Sequence, residues 1–205
     1  MIYEIRTYQI APTSLAEVEK RFGEAYEHRK KYSAITAFLH TEIGPLNEVV
    51  HIWAYRDLAE RTRIRGEAMK DPNWPPKIRE FIRAMRSEIV VPFPFPPEVA
   101  VGRVGPFFEL RYYTLRAGVL PEVSRNWEAA LPERMKLSPL LLAGSVEFGH
   151  ANGFVHIWPY KNLDQRQQVR AEAIKKGIWP PPGGADHLLT QETKILMPAA
   201  WSPMQ

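Results

Sequence analysis

Residues 51–55, His-Ile-Trp-Ala-Tyr, decide the fold of this chain because they occur a second time at residues 156–160 as His-Ile-Trp-Pro-Tyr. The same offset of 105 positions aligns residues 2–76 with residues 107–181 without a gap, and 27 of those 75 positions are identical. A duplicated unit indicates that one copy alone cannot bury its hydrophobic face. The chain is therefore one α+β unit of roughly a hundred residues written twice.

The composition bounds the class of protein. The chain of 205 residues has no cysteine, which excludes disulfides, thiolate nucleophiles and cysteine-ligated metals and is typical of the cytoplasm. No apolar run approaches the ~18 residues that span a bilayer, and the chain begins with a strand-like segment rather than a targeting peptide. We therefore predict a cytoplasmic protein without a membrane span.

The sequence pI of about 9.3 reflects a net charge of only +4. Arginines stand beside glutamates on a predicted helix, as in residues 60–65, and this pattern indicates a solvated helix face. A nucleic-acid surface would need a one-sided basic stripe with exposed stacking aromatics. Neither is present, so we predict no nucleic-acid partner.

Each copy has the order strand, helix, strand, strand, helix, strand. In the first copy we predict strands over residues 2–10, 35–43, 49–55 and 88–91, and capping boxes that open helices at Ser14 and Asp57. A short extra helix is predicted through residues 78–85. We divide the chain into repeats at residues 1–92 and 107–205, joined by a Pro/Gly-rich extended linker at residues 93–106.

A βαββαβ order predicts an antiparallel ferredoxin-like sheet with both helices on one face. The other face stays uncovered within one copy. Two tandem ferredoxin-like repeats can cover each other sheet to sheet, which forms an α/β barrel with the helices outside. The sequence leaves open whether this barrel closes within one chain or between chains of a homo-oligomer.

Alternation along the first and third strands of each copy defines the candidate site. The smaller apolar residues, such as Ile5 and Ile52, are expected to face the helices. Six polar or aromatic types, identical in both copies, are then expected to point into the barrel interior. These residues are Glu4, Arg6, Tyr8, His51, Trp53 and Tyr55 in the first copy, and Glu109, Arg111, Tyr113, His156, Trp158 and Tyr160 in the second.

Two interpretations of these residues remain open. In the first, they line a pocket for a small, partly apolar molecule. His51 or His156 would act as general acid/base, Glu4 or Glu109 would orient the imidazole, and the arginine, tyrosine and tryptophan side chains would bind the substrate. Such a site suits cofactor-independent isomerisation, cyclisation or oxygenation. In the second, Glu–Arg pairs neutralise each other, the rings seal the interior, and the protein is a structural or adaptor module.

We predict no metal and no cofactor. No two histidines have the spacing of a local ligand pair, and the chain has no P-loop, dinucleotide-binding or nucleophile-elbow motif. Ligation of haem by a single histidine remains open.

Four stretches of the first copy, residues 3–8, 40–47, 51–55 and 71–74, resemble the NIPSNAP family, and the second copy resembles a more diverged NIPSNAP domain. The resemblance implies the dimeric α/β barrel superfamily, whose members include monooxygenases, lactone isomerases, cyclases and haem-handling proteins. It supplies no established catalytic residues. Animal members are linked to mitochondria and protein recruitment, which implies an adaptor role as the competing function.

Overall fold

The computed structural model describes residues 1–97 and 101–205 of the chain. Residues 98–100, within the predicted linker, lie outside the described part. The first half contains β1 (Ile2–Ile10), α1 (Leu15–Arg29), β2 (Ile35–Ile43), β3 (Glu48–Tyr55), α2 (Leu58–Ala68), a 3-10 turn (Arg79–Phe81) and β4 (Ile82–Pro92). The second half contains β5 (Phe107–Leu115), α3 (Leu120–Met135), β6 (Leu142–Phe148), β7 (Gly153–Tyr160), α4 (Leu163–Lys175), α5 (Gly184–His187) and β8 (Leu188–Pro198).

The eight strands form one closed barrel in the order β1-β3-β2-β8-β5-β7-β6-β4. Each half contributes four antiparallel strands, and the halves are joined where β2 pairs with β8 and β4 pairs with β6. The predicted architecture of two tandem ferredoxin-like repeats that pair as an α/β barrel is confirmed. Both seams lie within a single chain, so the barrel needs no second copy to close.

The predicted orientation of the strand faces is wrong. The barrel interior is filled by the smaller apolar set, including Ile5, Ile52, Leu110 and Ile157. The polar and aromatic set lies on the opposite face, beneath the helices, where Trp53 packs with Phe22 of α1 and Ile64 of α2. An eight-stranded barrel has an interior just wide enough for side chains to fill. Branched aliphatic residues fit there, while the layer under the helices accommodates indole and guanidinium groups.

The helix predicted through residues 78–85 is also wrong. A 3-10 turn occupies Arg79–Phe81, and β4 begins at Ile82, well before the predicted residue 88. Ile82 pairs with Ile10, and Met85 pairs with Tyr8 on β1. Strand pairing thus supplies the backbone hydrogen bonds that a helix would otherwise provide, and tertiary context overrides the local apolar spacing.

The helix starts differ in how they are capped. Asp57 Oδ1 accepts a hydrogen bond from the Glu60 amide at 2.8 Å, so the predicted cap at the start of α2 is confirmed. The predicted cap at Ser14 is wrong, because its hydroxyl donates to the Ala11 carbonyl at 2.6 Å instead. The cap at Asp57 fixes the start of α2. This helix carries Arg61 and Arg65, which contact Glu4.

The segments that follow β4 and β8 cross over to the opposite half. Phe93 packs on Phe154 of the second half with ring centroids 5.3 Å apart. Trp201 packs on Phe38 of the first half at 4.7 Å and donates a hydrogen bond to the Glu19 carbonyl at 2.9 Å. Each half is therefore covered by a segment of the other. Within the described residues, no helix is both long and apolar enough to cross a bilayer.

The seam between β4 and β6 generates a prediction. A Cβ at Gly144 would lie 2.3 Å from the Val91 carbonyl oxygen, so Gly144→Ala must force the two strands apart. We expect this substitution to lower the free energy of unfolding by about 1–3 kcal/mol, the usual cost of overpacking. Urea denaturation measures it.

The matched control is Gly66→Ala on α2, where an added Cβ would meet no heavy atom within 4 Å. Alanine is preferred to glycine in a helix, so this variant should be neutral or stabilised by up to about 1 kcal/mol. Equal stability of Gly144→Ala and the wild type would show that the seam is not closely packed.

Candidate functional site

Two equivalent clefts lie between the sheet and the helices, one in each half. The half-one cleft has a volume of about 510 Å³ and the half-two cleft about 320 Å³. Both are lined by the equivalent pairs Arg6 and Arg111, Tyr8 and Tyr113, His51 and His156, and Trp53 and Trp158. Glu109 and Tyr160 also line the half-two cleft. The structure thus brings the predicted residues together, but under the helices rather than inside the barrel.

A tryptophan orients each histidine. Trp53 Nε1 donates a hydrogen bond to His51 Nδ1 at 2.7 Å, and Trp158 does the same to His156 at 2.7 Å. The two partners are alternate residues of one strand, so strand geometry alone places them side by side. The predicted orientation of the imidazole by glutamate is therefore wrong, because tryptophan holds it in both halves.

This contact fixes the position of the imidazole proton. An indole nitrogen can only donate, so Nδ1 of His51 must accept and Nε2 carries the proton of the neutral ring. His51 is 2% exposed, and burial, assisted by the charge of Arg6, lowers its pKa well below 6.5. Nε2 of His51 has no hydrogen-bond partner among the described residues, and neither has Nε2 of His156. Each half therefore contains a buried, neutral hydrogen-bond donor that has no acceptor in the described part of the chain.

Glu4 is enclosed by arginines and fully buried. Its Oε1 accepts hydrogen bonds from Arg6 at 2.8 Å and Arg61 at 2.6 Å, and Arg65 lies 3.6 Å from Oε2. Burial alone would raise the pKa of Glu4, but the hydrogen bond from Arg61 and the charges of Arg65 and Arg6 lower it to about 2. Glu4 is therefore a permanent carboxylate that positions guanidinium groups.

The second half repeats this arrangement around Glu109. Arg111 and Arg166 donate to Oε1 at 2.9 and 2.6 Å, and Arg170 lies 3.8 Å away. The helix arginines in these clusters were expected to be solvated. That expectation is wrong for Arg61 and its equivalent Arg166, because they reach inward to the strand carboxylate. Spacing of i, i+4 explains why Arg61 and Arg65 share one face of α2.

Sequence reasoning missed the most deeply buried arginine in each half. Arg29 at the end of α1 is 2% exposed, and its guanidinium carbon lies 4.6 Å from the centre of the Trp53 ring. It donates to the Tyr55 hydroxyl at 3.3 Å and to the Ser33 hydroxyl at 2.8 Å. Burial lowers the pKa of Arg29. Within the described part of the chain, Arg29 has no carboxylate within salt-bridge distance.

Arg134 of α3 occupies the equivalent position in half two. It is 2% exposed, lies 4.2 Å from the Trp158 ring centre and donates to Tyr160 at 3.1 Å and Ser138 at 2.7 Å. The identity of Arg29 and Arg134 across the repeat was visible in the sequence. Strand alternation, which defined the candidate site, does not select these two arginines because both lie on helices.

The charges in the clefts do not balance. In half one, four arginines at positions 6, 29, 61 and 65 accompany the single carboxylate of Glu4, an excess of three positive charges. Among the described residues that line this cleft there is no Asp or Glu. Low-dielectric walls concentrate the field of such an excess. The cleft is thus suited to an anion.

Aromatic rings and prolines form the walls of both clefts. Trp74 and Trp179 line them together with the prolines that follow each tryptophan, and both Trp–Pro peptide bonds are cis. Phe22 lies 5.5 Å from Trp74, edge to face. The two Trp-Pro-Pro motifs therefore form part of the cleft walls. Nowhere in the described residues, the clefts included, is a group of three or more His, Cys, Asp or Glu side chains arranged to hold a metal ion.

Comparison with known proteins identifies the relatives of the chain. The NIPSNAP family model matches residues 3–97 and again residues 108–203. Protein NipSnap of Drosophila melanogaster is 23% identical over 216 residues, which cover 100% of this chain and 79% of the fly protein. The human protein NipSnap homolog 3A is 24% identical over 219 residues, with coverage of 100% and 86%. A solved structure of a monooxygenase candidate from Lactobacillus acidophilus shares the fold, with a TM-score of 0.69, 11% identity and coverage of 99% and 94%.

The buried histidines generate a prediction on pH dependence. Below pH 6.5 the unfolded chain takes up protons at these histidines while the folded chain does not, so stability falls as the pH falls. Each histidine contributes a slope approaching about 1.4 kcal/mol per pH unit. Below pH 4.5 the two buried glutamates, whose pKa values are lowered, add a second loss.

Urea denaturation from pH 7 to pH 4 tests this assignment. The double variant His51→Gln and His156→Gln should show a shallower loss of stability between pH 6.5 and 4.5 than the wild type. His28→Gln, at an exposed histidine, is the control. An unchanged slope in the double variant would show that the buried imidazoles do not remain neutral.

Proposed function

The chain belongs to the NIPSNAP family, and we propose that each of its halves binds a small organic anion with a flat apolar body in the cleft between sheet and helices. The observation that carries this proposal is the guanidinium of Arg29, repeated at Arg134, which is buried without a carboxylate among the described residues. A buried charge is costly unless it is paired. An anionic ligand would supply the missing partner.

The contacts that Arg29 already makes support this assignment. The Trp53 face attracts the cation, and such a contact contributes about 0.5–2 kcal/mol. The Tyr55 hydroxyl accepts a hydrogen bond from Nη2, and the hydroxyl and the carbonyl of Ser33 accept hydrogen bonds from Nη1. The guanidinium has five N–H donors in all. Because the remaining donors are held in a planar fork, a carboxylate or phosphate fits them in bidentate geometry.

The neutral histidine extends the binding chemistry. His51 carries its proton on Nε2, which has no acceptor among the described residues, so it is available to donate to a carbonyl, hydroxyl or carboxylate oxygen. The rings of Tyr8, Phe22 and Trp74 surround this group with apolar walls. Aromatic walls with a few convergent donors are typical of sites for small organic molecules.

Binding is favoured over acid/base catalysis by the state of the predicted catalytic groups. With a pKa of about 2, Glu4 is a weak base at neutral pH. His51 has its Nδ1 lone pair engaged by Trp53 and its Nε2 protonated, so it acts as a donor. Isomerisation or cyclisation would therefore have to rely on polarisation of a substrate carbonyl by His51 and arginine rather than on proton abstraction by these residues.

A structural or adaptor role is the second candidate. The specific observation in its favour is that the barrel interior is filled with apolar side chains and that each strand glutamate is neutralised by arginines. This role requires no ligand in either cleft. The two candidates are separated by whether an anion stabilises the protein.

Titration calorimetry and thermal unfolding with naphthoate test the proposal, and naphthamide is the neutral probe of equal shape. We expect naphthoate to raise the Tm and naphthamide to have little effect. The double variant Arg29→Met and Arg134→Met should bind naphthoate about 10- to 100-fold more weakly, as expected for loss of a charged hydrogen-bonded partner.

Two controls keep this test decisive. Arg63→Met removes an exposed arginine that pairs with Glu67 on the outer face of α2, and it should leave naphthoate binding unchanged. If the methionine variants unfold, Arg29→Lys and Arg134→Lys keep the charge but remove the planar fork, and binding should still weaken. Equal affinity for naphthoate and naphthamide would contradict an anion site. Absence of any response to naphthoate in the wild type would favour the adaptor role.

A further inference from the structure

The two clefts have equivalent residues at their buried ends but different residues at their solvent-exposed mouths. The strand register identifies the equivalent positions, because Tyr8 pairs with Met85 and its counterpart Tyr113 pairs with Gln191. Here the offset between equivalent positions is one residue longer than the 105 of the rest of the repeat. The same longer offset places Ala185 where half one has Arg79, and both residues line their clefts. At its mouth the half-one cleft therefore has the apolar side chain of Met85 in place of Gln191. It also has the additional cation of Arg79 in place of Ala185.

The clefts also differ in the ring that α1 and α3 contribute to them. Half one has Phe22 where half two has the larger Trp127. The Trp127 ring lies 4.6 Å from Trp179, whereas the Phe22 ring lies 5.5 Å from Trp74. The larger indole thus narrows the half-two cleft beside Trp179, where the smaller phenyl ring of half one leaves more space.

Arg79 differs from the other arginines of the half-one cleft. Arg6 and Arg65 contact Glu4, and Arg29 is held by hydroxyl groups. Arg79 is exposed, and its side chain has no hydrogen bond or ion pair within the described part of the chain. Half one therefore has one available cation in the depth of the cleft and a second one at its mouth.

From these differences we infer that the two clefts select different anions. The half-one cleft takes an elongated dianion, with one anionic group on Arg29, the second on Arg79, and an apolar body between them against Phe22, Trp74 and Met85. The half-two cleft takes a shorter monoanion, because Trp127 narrows it and Ala185 and Gln191 provide no charge at its mouth. This inference rests on the proposed anion binding and adds the substrate class of each site.

Calorimetry on the full chain tests the inference with two probes. These are naphthoate and a naphthalene dicarboxylate whose carboxylates lie at opposite ends of the ring system. Arg134→Met leaves the half-one cleft intact and should bind the dicarboxylate about fivefold more tightly than naphthoate, which corresponds to about 1 kcal/mol for a partly exposed ion pair. Arg29→Met leaves the half-two cleft and should prefer naphthoate.

Substitutions at the mouth assign the preference to named residues. In the Arg134→Met background, Arg79→Ala should lower dicarboxylate affinity about fivefold and change naphthoate affinity by less than about twofold. Arg83→Ala, at an exposed arginine that does not line the cleft, is the control and should change neither. In the Arg29→Met background, Ala185→Arg combined with Trp127→Phe should transfer the dicarboxylate preference to half two.

The possible results separate this inference from the proposed function. If neither probe binds the wild type, anion binding itself is wrong and the inference falls with it. If naphthoate binds through Arg29 or Arg134 but both clefts show the same preference, only the inference is overturned. Retention of the dicarboxylate preference after Arg79→Ala would likewise overturn it, because the second anionic group would then be held elsewhere.

Discussion

Closure of eight strands into one barrel is the constraint on which the other features of this molecule depend. A closed barrel of this size has an interior just wide enough for side chains to fill, and here it is packed with apolar residues, most of them aliphatic. The repeated tyrosines and tryptophans of the first and third strands of each half instead lie on the outer face of the sheet. The helices cover that face, so the layer between sheet and helices becomes the place where charge, rings and empty space coexist.

Within that layer, a charged group and an aromatic ring act together. Glu4 draws the arginines of β1 and α2 inward, while Trp53 both orients His51 and receives the guanidinium of Arg29. One strand carboxylate cannot neutralise the arginines around it, and the excess of positive charge faces the cleft. The same set of contacts therefore joins the strands to the helices and leaves an excess of positive charge beside the cleft, on which the proposed anion binding rests.

The duplication allows the two halves to diverge without loss of the barrel. The residues that hold the buried arginine are repeated, whereas Phe22 and Trp127 differ, as do the residues at the cleft mouths. The crossing of Phe93 and Trp201 into the opposite half ties the two units together. A single chain can thus carry two clefts of different shape, which a symmetric pair of identical chains cannot.

By itself the sequence determined the repeat, the βαββαβ order and the barrel, because these follow from periodicity and from the need to cover a sheet. It also determined the six residue types that lie on one strand face in both copies, because side chains alternate along a strand. Only the tertiary structure decided which face those residues occupy. Both faces of the sheet are buried here, so alternation separates the two sets of side chains without saying which one the helices cover. Strand periodicity could not identify Arg29 and Arg65, because a helix arginine becomes a site residue only when the helix packs against a particular carboxylate or ring.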